Sequence, residues 1–221
     1  MKVLIAIPSQ GWIHQTVLAS IVRIFNDTRY EKTVLFPPKT SCVAVEMARQ
    51  CIQYNFLKGD CDYLLSIDAD NAPIKNPLDL IELDKDIIGC VTPTWYYSQL
   101  RVEKEPSYPI RWNAYDYKFD ENEKKMRYVE HFPQVGLQKV DAIGTGCFLV
   151  ARRVLESLKD THWTTIVKDD GSPFKGEDII FCENARQNGF EIYAHFDYPC
   201  THFNELELST INRGFIRYHK L

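Results

Sequence analysis

No two of the seven cysteines, at positions 42, 51, 61, 90, 147, 182 and 200, form a C-x-x-C pair, and their number is odd. Spacing therefore announces neither a zinc site nor a redox dithiol. A scattered, unpaired set fits a reduced, intracellular protein, and the cytoplasm is the expected location. Positive charge is also short: 26 Lys and Arg stand against 30 Asp and Glu, a formal net charge of −4. Backbone binding to nucleic acid needs a concentrated basic surface, so no nucleic-acid partner is expected. Long apolar runs are missing too. Met1–Pro8 carries one positive charge and a brief apolar stretch that Pro8 closes before a secretory h-region or a membrane span could form. It reads as a buried first strand, with no transmembrane segment. There is no internal repeat, no linker and no charge run, and at 45% hydrophobic and 25% charged residues the 221-residue chain is ordinary globular material. One domain over 1–221 is the economical reading.

The first ninety residues alternate strand and helix patterns. Val3–Ile7 reads as a strand, Pro8–Gly11 as a turn, and Ile13, Val17, Ile21 and Ile24 mark the apolar face of a helix over about 13–25. Thr33–Phe36 is a second strand. Ser41 caps a helix to about Leu57, with Val45, Ala48, Ile52 and Phe56 inward and Gly59 as its stop. Tyr63–Ile67 is an apolar strand that delivers Asp68 and Asp70, one residue apart and followed by Asn71, to a strand's carboxyl end. Ligands of open α/β sheets bind there, and paired carboxylates suit a hard divalent cation and the phosphates it carries; an Asx-rich turn would use the same residues. Asn76–Pro77 opens a short helix through Leu83, and Ile87–Val91 is another strand. The order βαβαβαβ predicts a mainly parallel sheet covered on both faces, a Rossmann-like nucleotide-binding half over 1–91.

From Thr92 to about Lys125 regularity is expected to stop. Trp95, Tyr96, Tyr97, Tyr108, Trp112, Tyr115, Tyr117 and Phe119 crowd this stretch with Pro93, Pro106 and Pro109. Such a loop is either functional, its rings stacking on sugars, or a small satellite core. A strand over about 138–143 follows, then Gly144–Thr145–Gly146, whose glycines permit close approach to a ligand or simply make a bulge. Cys147–Ala151 is a strand leading to a helix near 153–158. Gly176–Glu177–Asp178 opens a helix to about Gln187, where two acids could merely satisfy the helix dipole. A last strand, Glu191–Phe196, precedes Pro199–Asn204.

Four of these pieces, Ile7–Pro8–Ser9, Asp68–Ala69–Asp70, Gly144–Thr145–Gly146 and Gly176–Glu177–Asp178 with His202 after it, stand in an order that resembles the GT-A fold glycosyltransferases. The family 2-like enzymes that use nucleotide-sugar donors are the nearest kind, and the resemblance spans nearly the whole chain. It implies an α/β fold with an acceptor-side β/loop half over 92–221, and a glycosyltransferase activity. By that resemblance Asp68, Asp70 and His202 would hold Mn2+ or Mg2+ on the donor diphosphate, and Asp178, or its neighbour Glu177, would be the base. Pro8, Ser9, Arg49, Ala69 and the Gly144–Gly146 turn would lie about the nucleotide. The partners implied are a nucleoside-diphosphate sugar, UDP-linked by default, and a glycan or glycoprotein acceptor. The chain looks similar to the small stand-alone transferases of large DNA viruses and bacteria; for a viral enzyme the location would be the host cytoplasm.

Three rival classes use related parts. A nucleotidyltransferase would need a glycine-rich, arginine-bearing loop after its first strand, which Pro8–Ser9–Gln10–Gly11 is not. A metal-dependent phosphohydrolase would place D-x-D after its first strand with a nearby Thr or Ser, whereas here the pair ends the third strand and Asn71 follows. A non-catalytic carbohydrate-binding module would keep the aromatic loop without needing Asp178.

Overall fold

The computed structural model describes residues 1–9, 11–37, 44–95, 110–121, 124–171 and 173–203. In chain order the elements are β1 (Lys2–Ala6), α1 (Gln15–Phe25), β2 (Glu31–Leu35), α2 (Val45–Lys58), β3 (Tyr63–Ile67), β4 (Asn71–Pro73), a 3₁₀ helix (Pro77–Leu83) and β5 (Ile87–Cys90). Then come β6 (Pro93–Trp95), β7 (Ile110–Trp112), β8 (Ala114–Asp120), β9 (Lys125–Glu130), β10 (Leu137–Val140), β11 (Ala142–Ile143), β12 (Cys147–Ala151) and α3 (Arg152–Ser157). β13 (Ile166–Val167), β14 (Pro173–Lys175), α4 (Glu177–Gln187), β15 (Ile192–His195) and β16 (Cys200–His202) complete it.

Seven strands form the central sheet in the order β10-β15-β5-β12-β3-β1-β2. β1 runs parallel to β2 and β3, and β15 parallel to β5. Two strands depart from a simple parallel winding: β12, which lies between β3 and β5 and antiparallel to both, and β10, antiparallel to β15 at the edge. The sheet's direction is therefore mixed but mainly parallel. Strand β12 can occupy the middle because all five of its residues are apolar and buried, as a strand covered on both faces must be.

Period-two alternation divides the core between the two faces. From β1, Leu4 and Ala6 pack with Ile52 and Phe56 of α2, Leu155 of α3 and Phe181 of α4. Val3 and Ile5 pack instead with Val17, Ile21 and Ile24 of α1 and with Leu78 and Ile81 of the 3₁₀ helix. One expected helix start and one expected stop hold: Asn76 accepts the amide of Leu78, and Gly59 follows the last turn of α2. Ser41 lies outside the described residues. No helix among the described residues is long and apolar enough to cross a membrane.

Within the stretch expected to be irregular, Ile110–Trp112 and Ala114–Asp120 are strands, and β8 pairs with β9 in a three-stranded sheet ordered β11-β8-β9. Trp112 and Tyr115 lean on the main core, as a satellite cluster would, while Tyr117 and Phe119 remain exposed on the hairpin. Tyr96, Tyr97 and Tyr108 lie outside the described residues. The strand expected over 138–143 is two strands in two sheets, β10 and β11, because the chain switches partners at Asp141.

Candidate active site

Strand β3 emits Asp68 from the carboxyl end of the sheet, and the chain bends at once: Asp68's amide donates to Gly146 O at 2.7 Å, and Asn71's amide returns to Asp68 O at 3.1 Å. The loop is then tied to three neighbours. His14, which caps α1 with its Nδ1, donates its amide to Ala69 O at 2.8 Å. Phe203 donates its amide to Asp70 O at 3.0 Å and stacks on the His14 ring with centroids 3.6 Å apart. Ser20 and Arg23 of α1 donate to Pro73 O. The D-x-D segment is thus a braced turn between α1 and the chain after β16.

Arg49 is the centre of the arrangement. Side by side on α2 with the apolar positions Ala48 and Ile52, it is only 4% exposed. Its Nη2 donates to both carboxylate oxygens of Asp68, at 3.2 and 3.1 Å, and its Nε to Oε1 of Glu177 at 3.2 Å. Thr145 O accepts from Nη1 at 3.5 Å, and the Trp163 ring lies 5.7 Å from the guanidinium carbon. A buried cation is costly unless paired and hydrogen-bonded, and here two acids from opposite halves of the chain pair it. Burial alone would lower its pKa; the Asp68 and Glu177 charges reverse the direction, so the guanidinium stays charged. Burial pushes the Asp68 carboxyl up, Asp70's charge adds to that, and Arg49 pulls it back only in part.

Asp70 lies differently. Its Oδ2 is 3.6 Å from His202 Nε2, and its Oδ1 accepts from the Asn71 amide group at 2.6 Å. His202 turns its other ring nitrogen to Pro93 O at 2.7 Å. Burial would raise the Asp70 pKa, but the hydrogen bonds and charge of His202, with Asn71, carry it below the ordinary value. The Asp70 hydrogen bond in turn raises His202 against the cost of burial. A carboxylate and an imidazole 3.6 Å apart, both partly open to solvent, are a donor set that a divalent cation could bridge. Asp68, Asp70 and His202, which the resemblance implies as three ligands, do not all bring a ligand atom within 4.8 Å of the others: the first faces Arg49.

At the start of α4 the two acids separate. Glu177 is held by Arg49, whereas Asp178 makes only a short bond to the amide of Ile179, at 2.7 Å among the interactions described. Burial, with the Glu177 charge beside it, pushes the Asp178 carboxyl up to about 6. Gly176 gives it room, since a Cβ there would sit 2.7 Å from Asp178 Oδ1.

The remaining sequence candidates are placed as follows. Ser9 folds its own loop, donating to Trp12 O at 2.5 Å and accepting from the Gly11 amide, beside a buried Pro8. Gly144, Thr145 and Gly146 are all buried, and the close approach their glycines allow is to protein groups. A Cβ on Gly144 would lie 2.6 Å from the Asn113 amide nitrogen, and one on Gly146 2.7 Å from Asn71 Oδ1. Asn113, 4% exposed, locks this corner by accepting the Thr92 amide at 2.7 Å and donating to Gly144 O at 3.2 Å. His14, Phe203 and Asn113 had no sequence signal beyond their residue types; each acquires its place through a partner distant in the chain.

No family model matches the sequence, and no curated protein does. Among solved structures the chain is similar to A197 from STIV, with a TM-score of 0.60 and 20% identity over 93% of this chain and 87% of that one. It is also similar to GalNAc-T7, solved with UDP, GalNAc and Mn2+, with a TM-score of 0.53 and 14% identity; 93% of this chain is covered but only 43% of that one, so this chain spans less than half its length. A looser likeness, with a TM-score of 0.44, is to CMP:2-keto-3-deoxy-manno-octonic acid synthetase complexed with CTP. At these identities the comparisons speak to the fold, which is GT-A-like: a mixed α/β sheet of seven strands flanked by helices.

Proposed function

We propose that this protein is a metal-dependent inverting glycosyltransferase, moving a sugar from a nucleoside-diphosphate sugar to a hydroxyl of a glycan or glycoprotein acceptor. The observation that carries the reading is Arg49, buried between Asp68 and Glu177, which joins the D-x-D turn at the carboxyl end of β3 to the start of α4. Motifs more than a hundred residues apart in sequence thereby belong to one site. The fold likeness to a protein solved with UDP, GalNAc and Mn2+ supports UDP as the default nucleotide.

Asp70 and His202 would hold the divalent cation, Mn2+ or Mg2+, whose Lewis acidity eases departure of the nucleoside diphosphate. Asp68 and Glu177 both hold Arg49, so the guanidinium would serve to fix the D-x-D turn against the start of α4. Pro8, Ser9 and Ala69 frame the turn on the nucleotide side. Asp178 takes the proton of the acceptor hydroxyl as it attacks the anomeric carbon from the face opposite the leaving group, which inverts the configuration. Of the two acids opening α4, Asp178 suits this role better: Glu177 is already committed to Arg49, and a carboxyl near pH 6 is closer to the ideal for a base at neutral pH.

A panel of nucleotide-sugars incubated with Mn2+ tests the reading. The expected result is metal-dependent release of nucleoside diphosphate with transfer to a sugar hydroxyl, the product's anomeric centre inverted by NMR and the activity reduced about 10²- to 10⁴-fold in Asp178→Asn. Release of pyrophosphate from a nucleoside triphosphate instead would make the protein a nucleotidyltransferase. A retained configuration would remove Asp178 from the role of inverting base.

A further inference from the structure

Beneath the D-x-D turn lies a second cluster with different chemistry. Cys90 ends β5, Cys147 begins β12 and Cys200 begins β16, and their sulfurs all lie within 4.8 Å of one another. The three are 1%, 0% and 2% exposed. Cys90 and Cys147 face each other one step beyond the Phe148–Gly89 pair of the β5–β12 ladder. Cys200 is brought to them by its amide, which donates to Val91 O at 2.8 Å, and by its pairing with Pro73 of β4. Three sheet strands therefore hold the sulfurs from rigid backbone. A polar side chain borders the cluster: Thr92, 2% exposed, sets its hydroxyl against Cys200.

Three converging sulfurs select a soft or borderline cation and reject the hard cations that oxygen ligands prefer. At a zinc–sulfur distance of about 2.3 Å, sulfurs around one ion stand roughly 3.8–4.0 Å apart, inside the observed limit. Charge decides between candidates. Three thiolates with a divalent ion leave one net negative charge in the core, and with a monovalent ion two. The Thr92 hydroxyl is placed to donate to a thiolate, so the smaller burden is the one the surroundings can meet.

We propose that Cys90, Cys147 and Cys200 form a thiolate site for Zn2+, which clasps β16 to the ends of β5 and β12. Binding exchanges up to three thiol protons for the ion and moves no electrons. Because His202 lies on β16 and β4 starts one residue after Asp70, the clasp would also fix the spacing between those two side chains. That consequence rests on the proposed function; metal binding does not, and the two can fail separately.

The test is titration of the reduced, chelator-treated full chain with Co2+, followed by Zn2+. The expected result is one equivalent of Co2+ giving a sulfur-to-cobalt charge-transfer band in the near ultraviolet, displaced by one equivalent of Zn2+. Asp70→Ala should leave the band intact, Cys147→Ala and Cys200→Ser should abolish it, and Thr92→Val should weaken Zn2+ binding about tenfold. The wild-type titration stands even if the cysteine variants fold poorly. Absence of the charge-transfer band from reduced protein would overturn the site, as would a band that survives loss of Cys147 and Cys200 or a disulfide found among the three.

Discussion

Each of the two acidic motifs contributes one carboxylate that is clamped and one that is not. Asp68 and Glu177 are spent on Arg49; Asp70 and Asp178 are turned to His202 and to the mouth of α4. The difference comes from one side chain on α2. A planar guanidinium with several fixed donors can bind two acids in different directions, so it both joins the motifs and selects which acid of each stays available for chemistry. Adjacent residues of the same charge are in this way given unlike surroundings; on the proposed function the clamped pair would set geometry and the unclamped pair would hold or move charge.

Removing the clamp should have the largest effect. Arg49→Ala strands two carboxylates in a partly buried site, and breaking such a pair typically costs about 3–5 kcal/mol. Denaturant melts should show a lower midpoint with little change in slope. Arg49→Lys should recover only a minor part, since one ammonium cannot serve both acids from one position. Wild-type stability in Arg49→Ala would mean that the clamp does not sort the carboxylates.

Among the unclamped acids, Asp178→Asn should cost about 10²- to 10⁴-fold in turnover with donor affinity nearly unchanged, whereas Asp70→Asn should weaken the donor complex itself. Glu177→Gln should fall between wild type and Asp178→Asn, because it disturbs Arg49 without removing the base. The wild-type rate should rise with pH through about 6 as Asp178 loses its proton, and that limb should vanish in the residual activity of Asp178→Asn.

Much of this comparison was visible in the sequence, but not the clamp. Apolar strands such as Tyr63–Ile67 and Ile87–Cys90 are readable because burial on both faces demands an unbroken run. Asp68 and Asp70 are readable because a strand's end is where such residues act. A lone arginine on a helix, by contrast, reads as solvated; Arg49 is buried because Glu177 reaches it from α4, and local pattern holds no record of a partner 128 residues away. Strand order is hidden for the same reason, so β12 between β3 and β5 could not be foreseen. The β8–β9 hairpin is not legible because Tyr117, Lys118 and Phe119 are exposed on both of its faces, so burial imposes no alternation there. The cysteine cluster was invisible because its members arrive from three separate strands rather than at a ligand spacing.

Two glycines sharpen the contrast at smaller cost. Gly146→Ala would set a Cβ 2.7 Å from Asn71 Oδ1 and 3.3 Å from Thr92 Oγ1, both on buried side chains with little room to retreat. Overpacking of this kind typically costs about 1–3 kcal/mol. Because the Asn71 amide group also donates to Asp70, cation affinity should fall as well, measured by calorimetry with Mn2+ and donor. Gly176→Ala meets the carboxylate of Asp178 itself, the end of a side chain that can rotate away. Its stability should be nearly that of wild type while its turnover drops, which separates a packing glycine from a clearance glycine.

The smallest effect is a gain. A carboxyl raised from 3.8 to about 6 binds its proton more tightly folded than unfolded. Between those values the native state carries more protons than the unfolded chain, so stability falls as pH rises, and above about 6 the full penalty of holding a charge there is in force. Asparagine cannot ionise, yet it keeps an oxygen to accept the Ile179 amide. Asp178→Asn should therefore match wild type near pH 4 and exceed it near pH 7.5 by on the order of 1 kcal/mol, a value held down by the partial exposure of the site. Thermal melts of both proteins at the two pH values measure this. An enzyme that loses its rate and gains stability in one substitution has Asp178 in a place where folding would prefer a neutral group, as expected of a base held for chemistry. Equal melting at pH 7.5 would mean that the carboxylate is already well solvated and that its pKa is not raised.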